Sequence, residues 1–158
     1  MLRKLFILFL LPLAALAADQ VGIYTLYQEA SLTSSAQKIT VQQIASGTRD
    51  IQFKTASMWC SAATTFTLSV NGTAATATTA IPTPLFGVVS TVTGWTSSNV
   101  GSGTTIMKYD FPAGGSSIVI DLSDFKISRG AGTSANLTLA TTSITATCRM
   151  SIKWGEWR

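Results

Sequence analysis

From Ile144 to Trp154 the chain alternates without a break. Ile144, Ala146, Cys148, Met150, Ile152 and Trp154 fall on one phase, and Thr145, Thr147, Arg149, Ser151 and Lys153 on the other. A period of two held this long is that of a half-buried antiparallel strand, because successive side chains of a strand point to opposite faces. A helix would need apolar repeats at three and four residues. The stretch is therefore expected to be the central strand of a sandwich. Ile144, Ala146, Met150, Ile152 and Trp154 should face the core, and Cys148 should reach Cys60 from that same face. Thr145, Thr147, Arg149, Ser151 and Lys153 should face solvent or another copy.

The first residues carry an export signal. Arg3 and Lys4 precede an apolar run from Leu5 to Leu16, and Ala15-Leu16-Ala17 fits the small-x-small cleavage rule. The run is shorter than the ~20 residues a membrane-crossing helix needs. Residues 1–17 thus read as a removed signal peptide and 18–158 as one secreted domain. Removing 17 of 158 residues leaves 141, enough for a sizeable core. Two of the 11 basic residues go with the signal, leaving 9 against 7 acids. Charged residues are 11% of the chain, against about 25% in an average domain. Polar surface must come instead from uncharged residues, above all the 24 threonines, which suit the solvent face of strands. A weakly charged surface repels other copies poorly, which suits self-assembly into a homo-oligomer.

Cys60 and Cys148 are the only cysteines, and export favours their pairing as a disulfide. Across 88 residues such a bridge removes unfolded-state freedom worth up to about 4–5 kcal/mol in the loop-entropy model.

Taken in order, residues 19–37 read as a first edge strand or an arm, and Lys38 to Ile44 as a strand. Arg49 to Cys60 changes phase: Ile51 and Phe53 are odd, Ala56, Met58 and Cys60 even, which predicts a bulge. Phe66, Leu68 and Val70 alternate into Asn71-Gly72, a preferred core of a two-residue hairpin, which would pair Val70 with Thr73. Ile81-Pro82-Thr83-Pro84 reads as a loop, Phe86 to Trp95 as one strand, and 96–104 as a flexible loop. Thr105 to Phe111 and Ile118 to Leu122 alternate again, followed by a Gly-rich loop over 128–134 and a short strand at Leu137 and Leu139. About eight to ten short strands with frequent turn signals and no helix predict an all-β antiparallel sandwich, with a Greek-key jelly roll as the expected order.

The run Tyr109-Asp110-Phe111-Pro112-Ala113-Gly114-Gly115-Ser116-Ser117-Ile118-Val119-Ile120-Asp121-Leu122-Ser123, followed by Asn136-Leu137-Thr138-Leu139 and the closing strand, resembles small jelly-roll proteins. Such proteins occur among phage virion proteins and uncharacterised secreted bacterial proteins. The resemblance covers the last third of the chain. It implies self-assembly and carries over no catalytic residue.

The chain has no histidine. This removes Ser-His-Asp and Cys-His catalysis and the commonest zinc sites. Bridged cysteines supply no thiolate. No cofactor or metal is expected. Asp110, Asp121 and Asp124 lie near strand ends. Were Tyr109–Phe111 to pair with Ile118–Leu122, Asp110 and Asp121 would approach, as a calcium site or a glycosidase pair requires. No dense set of oxygen ligands surrounds them, so solvated carboxylates are the simpler reading. Among the tryptophans, Trp154 shares the core phase and Trp59 should face outward. Trp95, opening a loop, and Trp157, near the C-terminus, are the better ligand contacts. The basic residues are scattered singly, which argues against nucleic acid. The expectation is a non-enzymatic exported sandwich acting as an extracellular structural or assembly subunit. The alternative is a carbohydrate- or ligand-binding module using Trp95, Trp157, Asp110, Asp121 and Asp124, with a glycan as partner.

Overall fold

The structure, a computed structural model, describes residues 20–33, 38–43, 48–72, 79–80, 83–87, 90, 92–96, 103–132, 134–142 and 145–158. Residues 1–17, read as a signal peptide, and Ile144 lie outside the described residues. Twelve strands are described: β1 (Gln20–Thr33), β2 (Lys38–Gln43), β3 (Asp50–Cys60), β4 (Thr64–Val70), β5 (Thr79–Ala80), β6 (Thr83–Gly87), β7 (Val92–Thr96), β8 (Thr104–Phe111), β9 (Ile118–Asp121), β10 (Lys126–Ile127), β11 (Asn136–Thr141) and β12 (Thr145–Trp157). Among the described residues there is no helix.

The strands form two antiparallel sheets packed as a β-sandwich. One runs β10–β3–β12–β1–β6, with β9 beside β10 on the same edge of β3. The other runs β5–β7–β2–β11–β4–β8. The pairing is nested. β1 lies against β12, β2 against β11, β3 against β9 and β10, and β4 against β8. β5, β6 and β7 extend both sheets, β6 beside β1 and β5 and β7 beyond β2.

β12 is central, as the alternation predicts. Cys148, Met150, Ile152 and Trp154 are buried, while Arg149 on the opposite phase is exposed. The inner face of β3 adds Ile51, Phe53, Ala56, Met58 and Cys60. The phase change falls at a bulge, where Trp154 opposes Phe53 and Lys153 opposes Thr55, leaving Lys54 without an opposite number. Tyr24 stacks on Trp154 at 5.8 Å between ring centres, and Phe66 meets Phe111 edge-on at 5.9 Å. Each large side chain fully removed from water contributes about 1.5–3 kcal/mol.

Cys60 and Cys148 sit directly opposite each other on β3 and β12 and are joined by a disulfide, both buried. In β2 and β11 both faces are buried, so Thr40 and Thr138 are not solvent-facing. Their hydroxyls share a hydrogen bond of 2.9 Å, which removes the cost of burying them.

Four local readings are corrected by the tertiary pairing. β1 is not an edge strand over Gly22–Thr25, where β6 pairs with its other side. Residues 86–95 are not one strand: β6 belongs to the first sheet and β7 to the second. Pro84 lies within β6, where an edge position spares it a second partner. The Asn71-Gly72 hairpin does not form, because β11 and β8 occupy both edges of β4. Asn71 does take the positive φ of 55° that its type allows. The Asn136 amide then clamps Gly72, accepting from its N–H at 3.1 Å and donating to its carbonyl at 2.8 Å.

Candidate functional site

The expected aspartate group is dispersed. Asp110 lies on β8 in the second sheet and Asp121 on β9 in the first, because β8 pairs with β4 and β9 with β3 rather than with each other. Asp110 accepts a hydrogen bond from the Thr65 hydroxyl at 2.6 Å. Asp121 accepts from the Ser123 amide at 2.8 Å, and this bond, with a further one from the Ser123 side chain, holds its carboxyl below the usual range. That is turn chemistry. Asp124 is exposed in the same turn. Among the described residues no three of Asp, Glu and Cys gather closely enough to hold a metal ion.

Trp95 is the fourth residue of β7 rather than the start of a loop, paired through its backbone with Thr40 and Thr79. Its side chain lies outside those described. Trp157 ends β12 on the outer face. Its indole lies across Gly155, whose missing Cβ leaves the room, and the Lys54 ammonium sits 4.9 Å from the ring centre. It borders a hollow of about 320 Å³ with Asp50, Gln52, Lys126 and Ser128. Two of its side chains are engaged within the chain. Asp50 accepts from the Arg129 amide at 2.8 Å, and Gln52 donates to the carbonyls of Phe125 and Ser123.

A second hollow opens on the same outer face, about 390 Å³ in volume. The strand registers build it. Glu29 of β1 opposes Arg149 of β12, which opposes Trp59 of β3; in the next row on this face, Tyr27 opposes Ser151, which opposes Ser57. Tyr27 is 55% exposed, a high value for so large a ring. Its hydroxyl donates to Glu29 at 2.8 Å, and Arg149 pairs with Glu29 at 3.1 Å. The Tyr27 bond first, then Arg149, holds the Glu29 carboxyl below its usual range; in return, hydrogen bonding to Glu29 raises both the Tyr27 phenol and the Arg149 guanidinium. Arg149 also lies over the half-buried Trp59 ring, 5.2 Å from its centre. Ser57 and Ser117 line the hollow, and the Ser57 hydroxyl shares a hydrogen bond of 2.7 Å with that of Ser151. Trp59 faces outward as expected. Tyr27, Glu29, Ser57 and Ser151 carry no sequence signal, because only the pairing of three distant strands puts them on one face.

One buried charged group also went unread. Glu156 continues the core phase of β12 and is fully buried. Arg49 pairs with it at 2.9 Å, the Ser90 hydroxyl donates to it, and the Trp154 indole N–H donates at 3.4 Å. Burial, and after it the Glu156 charge, raises the Tyr24 phenol beside them. The signal was present in the unbroken period of two, which runs past Trp154 to Glu156. A buried carboxylate held by Arg and two other donors is a structural arrangement, enclosed on the core side of the sheet.

No protein-family model, curated protein or solved structure matches this chain.

Proposed function

We propose that this protein is an exported, non-enzymatic jelly-roll sandwich that assembles with further copies of itself outside the cell. The nested strand order supports the jelly-roll reading. With β5–β7 set aside and β9 and β10 taken as one, the strands fall to the first, second, first, second, second, first, second and first sheet while first pairs with last, which is how an eight-stranded double Greek key wraps. Jelly rolls of this kind build capsids and lectins alike. The Cys60–Cys148 disulfide is compatible with an oxidising compartment and fits the export signal of residues 1–17. A chain without histidine, whose two cysteines are bridged, favours a role in binding or assembly over catalysis.

The observation that carries the assembly reading is the edge of the second sheet. Among the described residues β8 pairs with β4 alone, and Thr104–Asp110 is exposed along its length apart from Met107 and includes Ile106 and Tyr109. An edge strand offers a row of backbone donors and acceptors to another strand. β8 is also self-complementary. Antiparallel pairing of two copies about Tyr109 sets Lys108 of each opposite Asp110 of the other, and Tyr109 against its counterpart.

Light scattering after size-exclusion chromatography, across a range of concentrations, tests this. The wild type should self-associate, Lys108→Asp should dissociate it by opposing like charges, and Lys108→Asp with Asp110→Lys should restore it. A wild type that stays monomeric throughout defeats the assembly role, and an oligomer indifferent to Lys108→Asp defeats the β8 edge.

A further inference from the structure

We infer that the outer face of the first sheet carries a binding site for a neutral saccharide, in the hollow between Tyr27 and Trp59. The inference goes beyond the assembly role and does not depend on it.

At about 390 Å³ the hollow falls within the 300–1,000 Å³ of small-molecule sites. Its lining has a double character. Tyr27 and Trp59 bring two aromatic rings from two strands to the same face, Ser57 and Ser117 line the hollow with hydroxyls, and Ser151 holds the Ser57 hydroxyl by a hydrogen bond. A sugar ring has the matching double character, with apolar C–H faces and a rim of hydroxyls that both donate and accept. Aromatic rings shelter the C–H faces from water. Serine hydroxyls donate and accept as the sugar hydroxyls do. Arg149 adds donors and Glu29 acceptor oxygens at one end.

The charge pattern narrows the ligand. Glu29 and Arg149 oppose each other directly and cancel, so neither sign is favoured in a ligand. An anion would meet the Glu29 carboxylate. An alkyl chain would leave the serine pair and the ion pair without water, at a cost that apolar contact does not recover. The groups are also fixed before a ligand arrives. The Tyr27 hydroxyl is tied to Glu29, Glu29 to Arg149, and Arg149 lies on the Trp59 ring. A platform so braced loses little side-chain freedom on binding.

Affinity electrophoresis of the full exported chain tests the site, in gels containing xylan, glucomannan, hydroxyethylcellulose, glycol chitin or, as an anionic control, polygalacturonate. At least one neutral matrix should retard the wild type. Tyr27→Ala and Ser57→Val, each made at a partly exposed position outside the core, should weaken that retardation by roughly tenfold. Trp157→Ala should leave it unchanged. Retardation by none of the neutral matrices overturns the site, as does retardation by polygalacturonate alone. Binding that survives both Tyr27→Ala and Ser57→Val also overturns it, and so does binding that Trp157→Ala abolishes. Each outcome is read at a concentration where the oligomeric state is known, so a monomeric wild type leaves this test intact.

Discussion

At the scale of single residues, Glu156 and Arg49 make the sharpest case. A carboxylate with no exposed surface is stable only while its charge is matched and its oxygens are bonded. Arg49→Met removes the counter-charge and should cost about 3–5 kcal/mol, read as a lowered midpoint in guanidinium denaturation. Arg49→Met with Glu156→Leu should recover most of that loss, since an apolar pair of similar volume leaves no orphaned charge. Equal destabilisation by the single and double replacements would show that packing, and not charge, governs the site. The same scale shows a limit of pattern reading. The period of two placed Trp154 in the core and continued to Glu156, yet a charged residue two places from the C-terminus suggests solvent. Its partner lies 107 residues away, and nothing local marks the pair.

At the scale of elements, strands were legible and their neighbours were not. The alternation along β12 and the phase change in β3 are properties of each segment's own side chains, so both could be read directly. The Asn71-Gly72 hairpin failed because strand pairing is a competition. Both edges of β4 are taken by β8 and β11, so no edge of it is left for the run that follows. The turn residues still serve a purpose, since Asn136 satisfies both backbone groups of the buried Gly72. Asn136→Ala should therefore cost about 1–3 kcal/mol for each orphaned group, measured by urea unfolding. Asn136→Asp should cost less, because it keeps the acceptor for the Gly72 amide. A change within experimental error for Asn136→Ala would mean that water replaces the clamp.

At the scale of the whole molecule, the nested pairing makes nearly every contact long-range. β3 must wait for β12, the last strand of the chain, before the first sheet has its middle. The disulfide joins these two strands across 88 residues. Cys60→Ala with Cys148→Ala should lower stability by about 2–5 kcal/mol in equilibrium denaturation. The two side chains already face each other across a formed ladder, so the fold should survive in far-UV circular dichroism. Loss of the β signature at low temperature would show instead that the bridge is required for folding.

Side-chain period, turn residues and cysteine count act within a few positions of each other. They were enough to establish an all-β sandwich, a central closing strand, a bulge in β3 and the face on which Cys148 lies. Which strands became neighbours depended on how apolar surface from the entire chain could be buried at once, and no short segment holds that information. The candidate site followed the second rule. Asp110 and Asp121 are close in sequence but went to different sheets. Tyr27, Trp59 and Ser151 are far apart in sequence, and the register of β1, β12 and β3 brought them to one face.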